Sequence, residues 1–397
     1  MTMTPEELLD GFEHVETAGD FRQRLALRRP LRVKLGIDPT SPDLHLGFMV
    51  VLHKLQRFAE AGHKVTLIIG DFTARIGDPS GKNVTRPQLS RDEIEANMDT
   101  YRAQAGKVLD LERIEIRYNS EWLDELSLTD LVKLLSKTTV AQMLERNDFK
   151  NRYTAGASIA LHEFLYPVAQ AYDSIAIEAD VELGGSDQLF NLLLGRHYQR
   201  EYGQAPQICA TVPLLVGLDG EKKMSKSLGN YVGITEAATE QFGKLMKIGD
   251  GLIPTYARLA AFRSAADCER LQADLAAGRV DPMEAKKGVA ADVVARYHGR
   301  GAAREAREHF ERTVQRKEIP AGDIAELPLA ECRYVADVLV AAGMAASKRE
   351  AARLISGNGV KVDGIVVSDP KAPWPATEPA VLSVGSRKFV RIRPEKN

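Results

Sequence analysis

Apolar residues in the first part of the chain alternate between short runs and helically spaced positions. Two runs, Leu31–Ile37 and Lys64–Gly70, have the length and the β-branched content of strands. Between them, His45–Ala61 carries apolar residues at intervals of three and four, which predicts a helix. The order strand, helix, strand predicts a βαβ unit with parallel strands.

Two further apolar runs extend this pattern toward the middle of the chain. Ile114–Tyr118 and Ile175–Ile177 are predicted strands, and helical segments lie between them. Such alternation predicts a parallel sheet with helices on both faces. We therefore expect an α/β, Rossmann-like domain at residues 1–234.

The pattern changes twice after residue 234. Residues 235–316 are helical in period and highly charged, which predicts a separate α-helical domain. Residues 317–333 include two prolines and have no sustained period, so we place a linker there.

The C-terminal segment, residues 334–397, has the pattern helix, helix, hairpin. Ser347 and Glu350 have capping-box spacing, and Gly357 can close that helix. The pair Asp363-Gly364 lies between two apolar runs as a two-residue hairpin turn. These signals predict a small α+β module.

Charge is distributed unevenly along the chain. The whole chain has a net charge of −2, whereas residues 334–397 carry ten basic and six acidic residues, a net charge of +4. A local basic face of this kind favours contact with nucleic acid phosphates.

The remaining composition points to a cytoplasmic protein. No apolar run reaches about 18 residues, and the N-terminal segment lacks the apolar stretch of a signal peptide, so we expect no membrane span. Cys209, Cys268 and Cys332 lie far apart without a CxxC pair, and we expect neither disulfides nor a structural metal.

The loop from Gly36 to Phe48 leads from a predicted strand into a predicted helix. Backbone amides and the positive end of a helix favour phosphate at such a place. Gly47 leaves room for a nucleotide, while His45 and Thr40 can donate hydrogen bonds to phosphate oxygens. An isolated His-x-Gly triplet is more often only a helix cap, so this loop needs a second signal.

The second signal is the sequence Lys-Met-Ser-Lys-Ser at positions 223–227, in a glycine-flanked loop. Lysines are usually just solvated surface residues. With the first loop, however, this segment resembles the class I aminoacyl-tRNA synthetases, whose HIGH motif corresponds to residues 45–48 and whose second motif is KMSKS. The resemblance implies that the protein forms an aminoacyl-adenylate from ATP, with Mg²⁺ accompanying the nucleotide.

Three more segments, 76–82, 166–173 and 184–188, are similar to the bacterial tyrosyl-tRNA synthetases. Residues 347–364 resemble the small RNA-binding module first described in a ribosomal small-subunit protein, which that family carries at its C-terminus. The resemblance implies L-tyrosine and tRNA(Tyr) as substrates, a homodimer, and no editing domain. Phe48, Lys34 and Leu35 depart from the pattern of one bacterial branch and indicate the other branch.

The resemblance also implies roles for individual residues. Thr40 and His45 would hold the γ-phosphate of ATP on one side, while two loops would close over it with Lys82, Arg86, Lys223 and Lys226. The adenosine would lie near Asp38, Gly47 and Asp187, with Lys226 also on the nucleotide. Tyrosine would be bound by Asp78, Tyr166, Gln170, Asp173 and Gln188, with Asp173 facing the phenol hydroxyl.

Three other functions remain open at the level of sequence. A tryptophan enzyme shares the fold and both motifs, although its pocket has no need of a carboxylate facing a phenol. An RNA-binding or splicing-cofactor protein could keep the C-terminal module without catalysis, but the intact KMSKS segment argues against this. A nucleotidyltransferase acting on another small acid could share the phosphate motifs, but would not need an RNA-binding module.

Overall fold

The computed structural model describes residues 3–27, 29–39, 43–79, 91–315, 325–329, 332–374, 379–385 and 388–394. It divides into two compact units, residues 1–300 and 301–397. The division between a catalytic domain ending at 234 and a helical domain ending at 316 remains a prediction. No helix among the described residues is long and apolar enough to cross a bilayer.

The first unit contains a six-stranded sheet with the strand order β1-β6-β5-β2-β3-β4. All neighbouring strands are parallel except β1 and β6, which are antiparallel. The strands are β1 (His14–Glu16), β2 (Arg32–Ile37), β3 (Lys64–Ile69), β4 (Ile114–Tyr118), β5 (Val181–Gly185) and β6 (Ile208–Val212).

The α-helices of this unit connect and cover the strands. They are α1 (Pro5–Leu9), α2 (Ala18–Ala26), α3 (Leu46–Glu60), α4 (Thr73–Ile76), α5 (Arg91–Ala105), α6 (Ser120–Leu123), α7 (Leu128–Leu135), α8 (Val140–Met143), α9 (Asn147–Thr154), α10 (Leu165–Ala176), α11 (Leu189–Glu201), α12 (Ala238–Leu245), α13 (Ile253–Leu259) and α14 (Ala265–Ala276). Short 3-10 turns lie at Leu161–Phe164, Ser186–Gln188, Lys226–Leu228 and Asp250–Leu252. Helix α15 (Pro282–Phe310) breaks at Gly299, which has φ 87°.

The connection between β2 and β3 confirms the predicted βαβ unit. His45 is the N-cap of α3 and Ala61 its C-cap, so the predicted helix has the observed bounds. The chain leaves β2 toward β3 on one side, whereas β5 lies on the other side of β2. This reversal opens a crevice at the carboxyl ends of β2 and β5, the usual ligand position in such sheets.

One predicted strand is wrong. Ile175–Ile177 is not extended, because Ile175 lies in the last turn of α10 and Ile177 is its C-cap. Short apolar runs fit a buried helix as well as a strand, and here the helical spacing of the preceding residues decides. The strand of this region is Val181–Gly185, four residues further on.

The second unit contains the predicted α+β module. Its elements are α16 (Val335–Ala341), α17 (Lys348–Ser356), the π-helical turn Glu311–Gln315, and the strands β7 (Ala325–Leu329), β8 (Val360–Val362), β9 (Ile365–Val367), β10 (Ala380–Val384) and β11 (Lys388–Pro394). Ser347 caps α17 by accepting from the amide of Glu350, and Gly357 is its C-cap. The turn at Asp363-Gly364 joins β8 and β9 as predicted.

Part of the predicted linker is a strand. Residues 325–329 form β7, which pairs in parallel with β11 at the edge of a sheet with the order β7-β11-β10-β8-β9. An edge strand tolerates a proline such as Pro328, because the missing amide can face away from the neighbouring strand. A proline therefore did not exclude a strand here.

Candidate active site

A cavity of about 790 Å³ lies at the carboxyl ends of the parallel strands. Its walls bring together residues that are as much as 193 positions apart, from Leu35 to Leu228. Three predicted residues, Thr40, Lys82 and Arg86, lie outside the described residues. All the other predicted site residues line this one cavity: Asp38, His45, Gly47, Asp78, Tyr166, Gln170, Asp173, Asp187, Gln188, Lys223 and Lys226.

His45 is both a helix cap and a cavity residue. Its Nδ1 accepts a hydrogen bond from the amide of Gly47 at 3.2 Å. Burial, and then the charges of Lys226 and Lys223, lower the pKa of His45 to about 4, so the ring is neutral at pH 7. A neutral ring that accepts at Nδ1 carries its proton on Nε2. His45 can therefore donate one hydrogen bond without carrying a charge.

The space beside His45 favours a glycine at position 47. A Cβ at position 47 would lie 3.0 Å from two atoms of the His45 ring. The ring of Phe48 packs against the His45 ring, with 4.7 Å between the ring centroids. Phe48 lines the cavity only as an apolar wall, which its side chain already implied.

The KMSKS loop is tied to the body of the first unit by its backbone. The amide of Met224 donates to the carbonyl oxygen of Leu215 at 2.7 Å, and the Met224 side chain is buried. The amide of Ser225 donates to Oδ1 of the buried Asn230 at 2.8 Å. Asn230, which lies outside the KMSKS motif, therefore fixes the loop while the lysine side chains line the cavity.

The two lysines of this loop differ in their surroundings. Lys223 forms an ion pair with Asp187, at the end of β5, and both side chains are partly exposed. Lys226 is more enclosed, and burial lowers its pKa. Asp187 was expected near the ribose, and here it also holds Lys223 across the mouth of the cavity.

Asp38 and Tyr166 contact each other at the centre of the cavity. The hydroxyl of Tyr166 donates to Oδ2 of Asp38 at 2.9 Å, and Thr73 donates to Oδ1 at 2.7 Å. Burial, followed by the charge of Asp38, raises the pKa of Tyr166 well above its usual value, so its hydroxyl stays protonated. A Cβ at Gly70 would lie 2.0 Å from Oδ1 of Asp38, so only glycine fits there.

Five polar side chains form a hydrogen-bonded chain along one wall. Arg146 donates to Oδ1 of Asp78 at 2.8 Å, and Gln188 donates to Oδ2 of Asp78 at 3.0 Å. Asn191 donates to the amide oxygens of Gln188 and Gln170, at 2.8 and 2.9 Å. The wall thus presents a carboxylate and amide oxygens, which are acceptors suited to an ammonium group.

Asp173 lies at the closed end of the cavity with 3% of its surface exposed. Trp122 donates through Nε1 to Oδ1 at 2.8 Å, and Asn119 lies with Nδ2 at 3.5 Å from Oδ2. Burial raises the pKa of Asp173 to about 7, against the opposing effects of Lys34, Trp122 and Asn119. This carboxylate is an acceptor held in a nearly dry site.

Several of these partners were not found from the sequence: Asn119, Trp122, Arg146, Asn191 and Asn230. None belongs to a segment that resembles a known motif. The sequence does hold one signal, because Asn191 is a polar residue within the apolar run Leu189–Leu194. Its partners are not visible until the fold places Asn191 beside Arg146, which in turn donates to Asp78.

Among the described residues, no group of three or more His, Cys, Asp or Glu side chains is arranged to hold a metal ion.

Two ranges of the chain match known protein families. Residues 26–315 match the family of class I tRNA synthetases for tryptophan and tyrosine, and residues 335–373 match the S4 domain. The fold is similar to that of a C-terminally truncated mitochondrial tyrosyl-tRNA synthetase from Aspergillus nidulans. The TM-score is 0.63 at 21% identity, covering 78% of this chain and 93% of that chain.

Bacterial relatives are similar over nearly the whole chain. Tyrosine–tRNA ligase 2 of Vibrio parahaemolyticus is 48% identical over 387 residues, with 97% of each chain covered. The tyrosine–tRNA ligase of Thermotoga maritima is 48% identical over 397 residues, with 98% of each chain covered. The chain belongs to the class I tRNA synthetases for tryptophan and tyrosine and, within them, to the bacterial tyrosine–tRNA ligases.

Proposed function

We propose that the chain joins L-tyrosine to tRNA(Tyr) in two steps, with tyrosyl-adenylate and pyrophosphate formed from tyrosine and ATP in the first. The observation that carries this proposal is the buried carboxylate of Asp173 at the closed end of a cavity lined by both phosphate motifs. A buried acceptor costs free energy when it is left without a donor. The phenol hydroxyl of tyrosine is such a donor, whereas tryptophan and phenylalanine offer none at that point.

The first step needs charge stabilisation rather than a base. The α-carboxylate of tyrosine is already ionised at pH 7 and attacks the α-phosphate directly. Negative charge then grows on the departing pyrophosphate. Lys223, Lys226 and the Nε2–H of His45 stabilise this charge more in the transition state than in the ground state. Mg²⁺ enters as part of the MgATP substrate.

The remaining residues would position the two substrates. Asp78, Tyr166 and Gln170 receive the α-ammonium group, with Gln188 beside the carboxylate, because that wall presents oxygen acceptors. Asp38 and Asp187 lie at the carboxyl ends of β2 and β5, where they can accept from ribose hydroxyls, and Gly47 leaves room for the nucleotide. Thr40, Lys82 and Arg86 are assigned to the phosphates by resemblance alone.

Pyrophosphate exchange tests this function without tRNA. The assay would use ATP and, separately, tyrosine, phenylalanine and tryptophan. Exchange with tyrosine alone supports the proposal. Exchange with tryptophan would make this the sister enzyme, and no exchange with any of the three would favour an RNA-binding scaffold or another acid substrate.

The helical region and the S4 module would bind tRNA(Tyr) through phosphate contacts. Lys348, Arg349 and Arg353 lie on α17 with exposed side chains. Phosphate contacts release counterions, so raising salt should weaken tRNA charging steeply and adenylate formation only slightly. A parallel decline of both activities with salt would contradict this division of labour.

We also propose a cytoplasmic homodimer. Leu128, Val132 and Leu135 are exposed on one face of α7, and Val140 is exposed at the start of α8. Such a row of apolar side chains is suited to a second copy of the chain. Sedimentation should give a dimer that Val132→Asp dissociates, whereas Leu27→Asp, at a similarly exposed leucine that follows α2, should leave it intact.

A further inference from the structure

An ion pair lies buried next to the amino-acid end of the cavity. Lys34 on β2 and Glu182 on β5 are register partners in the parallel sheet. Their Nζ and Oε1 atoms are 3.0 Å apart, and each side chain is 1% exposed. Neither residue belongs to the predicted site, although Lys34 was noted as a departure from one bacterial branch.

An ion pair buried inside a sheet has a large cost in desolvation free energy. Two charges lose their hydration on burial, and apolar residues of the same volume are often as stable. Central strands of a parallel sheet are normally apolar throughout, as Val33 and Leu35 are. The pair at positions 34 and 182 therefore calls for an explanation other than sheet stability.

The pair is joined to the cavity wall. Lys34 donates to the carbonyl oxygen of Gln170 at 3.4 Å, and the side-chain amide of Gln170 donates to Oε1 of Glu182 at 3.2 Å. Glu182 also accepts from Ser174 and from Gln207 through Oε2. Gln170 and Ser174 are on α10, and Asp173 lies between them on the same helix.

The charges of Lys34 and Glu182 both affect the pKa of Asp173. Among the described residues, two charged groups act on it: Lys34, which lowers its pKa, and Glu182, which raises it by a smaller amount. The other groups facing the carboxylate are Trp122 and Asn119, which are neutral donors. Lys34 is thus the positive charge that opposes the effect of burial on Asp173.

We propose that Lys34 is a positioning residue for the phenol site, whose buried charge keeps Asp173 an anionic acceptor while Glu182 holds that charge in place. This inference rests on the proposed function, since it assumes that the phenol of tyrosine meets Asp173. It assigns Lys34 a role in selecting tyrosine over phenylalanine without contact between Lys34 and the substrate.

The test is the pH dependence of tyrosine binding and activation. Lys34→Met keeps the length of the side chain but removes the charge. The pH at which the affinity for tyrosine is half of its maximum, the midpoint, should then rise by about one unit. This rise lowers the affinity at pH 7 by about fivefold. The KM for tyrosine in pyrophosphate exchange should rise in parallel, whereas kcat and the KM for ATP should change little.

Phenylalanine provides an internal comparison. It lacks the hydroxyl, so its weak activation should not lose efficiency in Lys34→Met. The ratio of kcat/KM for tyrosine to that for phenylalanine should therefore fall by at least fivefold at pH 7 and recover toward pH 9, where Asp173 is ionised again.

Two further variants separate this role from simple stability. Lys34→Met/Glu182→Gln removes both charges and avoids an unpaired buried carboxylate, and it should show a smaller upward shift. Arg152→Met/Glu163→Gln removes a comparably buried ion pair, 2% and 3% exposed, that does not contact Asp173. It should lower the Tm without moving the midpoint.

Different results would contradict the role of Lys34 and the proposed function. An unchanged midpoint and an unchanged selectivity ratio in the double variant would overturn the proposal, even if Lys34→Met alone failed to fold. An equal shift in the Arg152 and Glu163 variant would also overturn it, because the effect would then be general. Failure of the unmodified enzyme to exchange with tyrosine would instead contradict the proposed function.

Discussion

The two ends of the cavity are built in opposite ways. At the amino-acid end, Asp173, Lys34 and Glu182 are almost fully buried and hydrogen-bonded to several partners. At the phosphate end, the side chain of Lys223 is 38% exposed and lies on a loop. The backbone of that loop is fixed through Met224 and Asn230.

Under the proposed function, this difference follows from what each end must recognise. The phenol hydroxyl occupies one position throughout the reaction, so a rigid acceptor in a dry site recognises it best. The phosphates move apart as pyrophosphate leaves, so cations on a loop can follow the developing charge. A desolvated acceptor therefore gives specificity at the amino-acid end. Mobile positive charges raise the reaction rate at the phosphate end.

The largest effect should come from Asp173→Ala. It removes an acceptor for the phenol and leaves the donors of Trp122 and Asn119 without a partner, which together cost about 4 kcal/mol, or on the order of 10³-fold in tyrosine-dependent exchange. Lys348→Ala, on the exposed face of α17, should leave exchange unchanged. Equal losses in both variants would refute the assignment of Asp173.

At the phosphate end, Lys226→Ala should lower kcat for adenylate formation by on the order of 10²-fold. Its charge acts mainly in the transition state, so the KM for tyrosine should stay near its original value. Lys222→Ala is the matched control, since Lys222 has the same charge in the same loop but is exposed. If the Lys222 variant lost as much activity, the effect would be one of net charge.

The buried end should also carry a cost in stability that depends on pH. Burial raises the pKa of Asp173 from 3.8 to about 7, so the native state favours the protonated form. The penalty is absent below pH 3.8, grows between pH 3.8 and 7, and stays at its full value above pH 7, at most roughly 4 kcal/mol. Asp173→Asn should therefore stabilise the protein by about 2 kcal/mol at pH 8, measured by urea unfolding.

That gain should disappear near pH 4, where Asp173 of the original protein is itself protonated. The same substitution should weaken tyrosine activation at pH 8, as expected where an active site sacrifices stability for function. A gain of the same size at both pH values would show that ionisation of Asp173 is not its cause.

The smallest effects should separate the two roles of His45. His45→Ala loses the cap of α3 and should lower the free energy of unfolding by about 1 kcal/mol, whereas His45→Asn retains a cap. Both remove the Nε2 donor and should slow adenylate formation by roughly tenfold or more. Because the pKa of His45 is about 4, exchange in the original enzyme should show no step from His45 near pH 6.5.

Much of the fold could be predicted because its signals are local. The helix His45–Ala61, the cap at Ser347 and the turn at Asp363-Gly364 each depend on residues within a few positions of one another. The strand predicted at Ile175–Ile177 failed because three apolar residues fit either state, and burial of α10 made the choice. Strand β7 was missed because its pairing with β11 is not visible along the chain.

The features of the candidate site also separate into local ones and ones that depend on long-range contacts. Amino-acid sequence alone determined the two phosphate motifs, the family, and which side chains could carry chemistry, because residue type and close spacing are properties of the chain. Tertiary structure alone decided that Lys34 meets Glu182 across two strands and that Asp173 and His45 have shifted pKa values. Desolvation and charge interactions depend on distance in space, and folding brings those distances about between segments far apart in sequence.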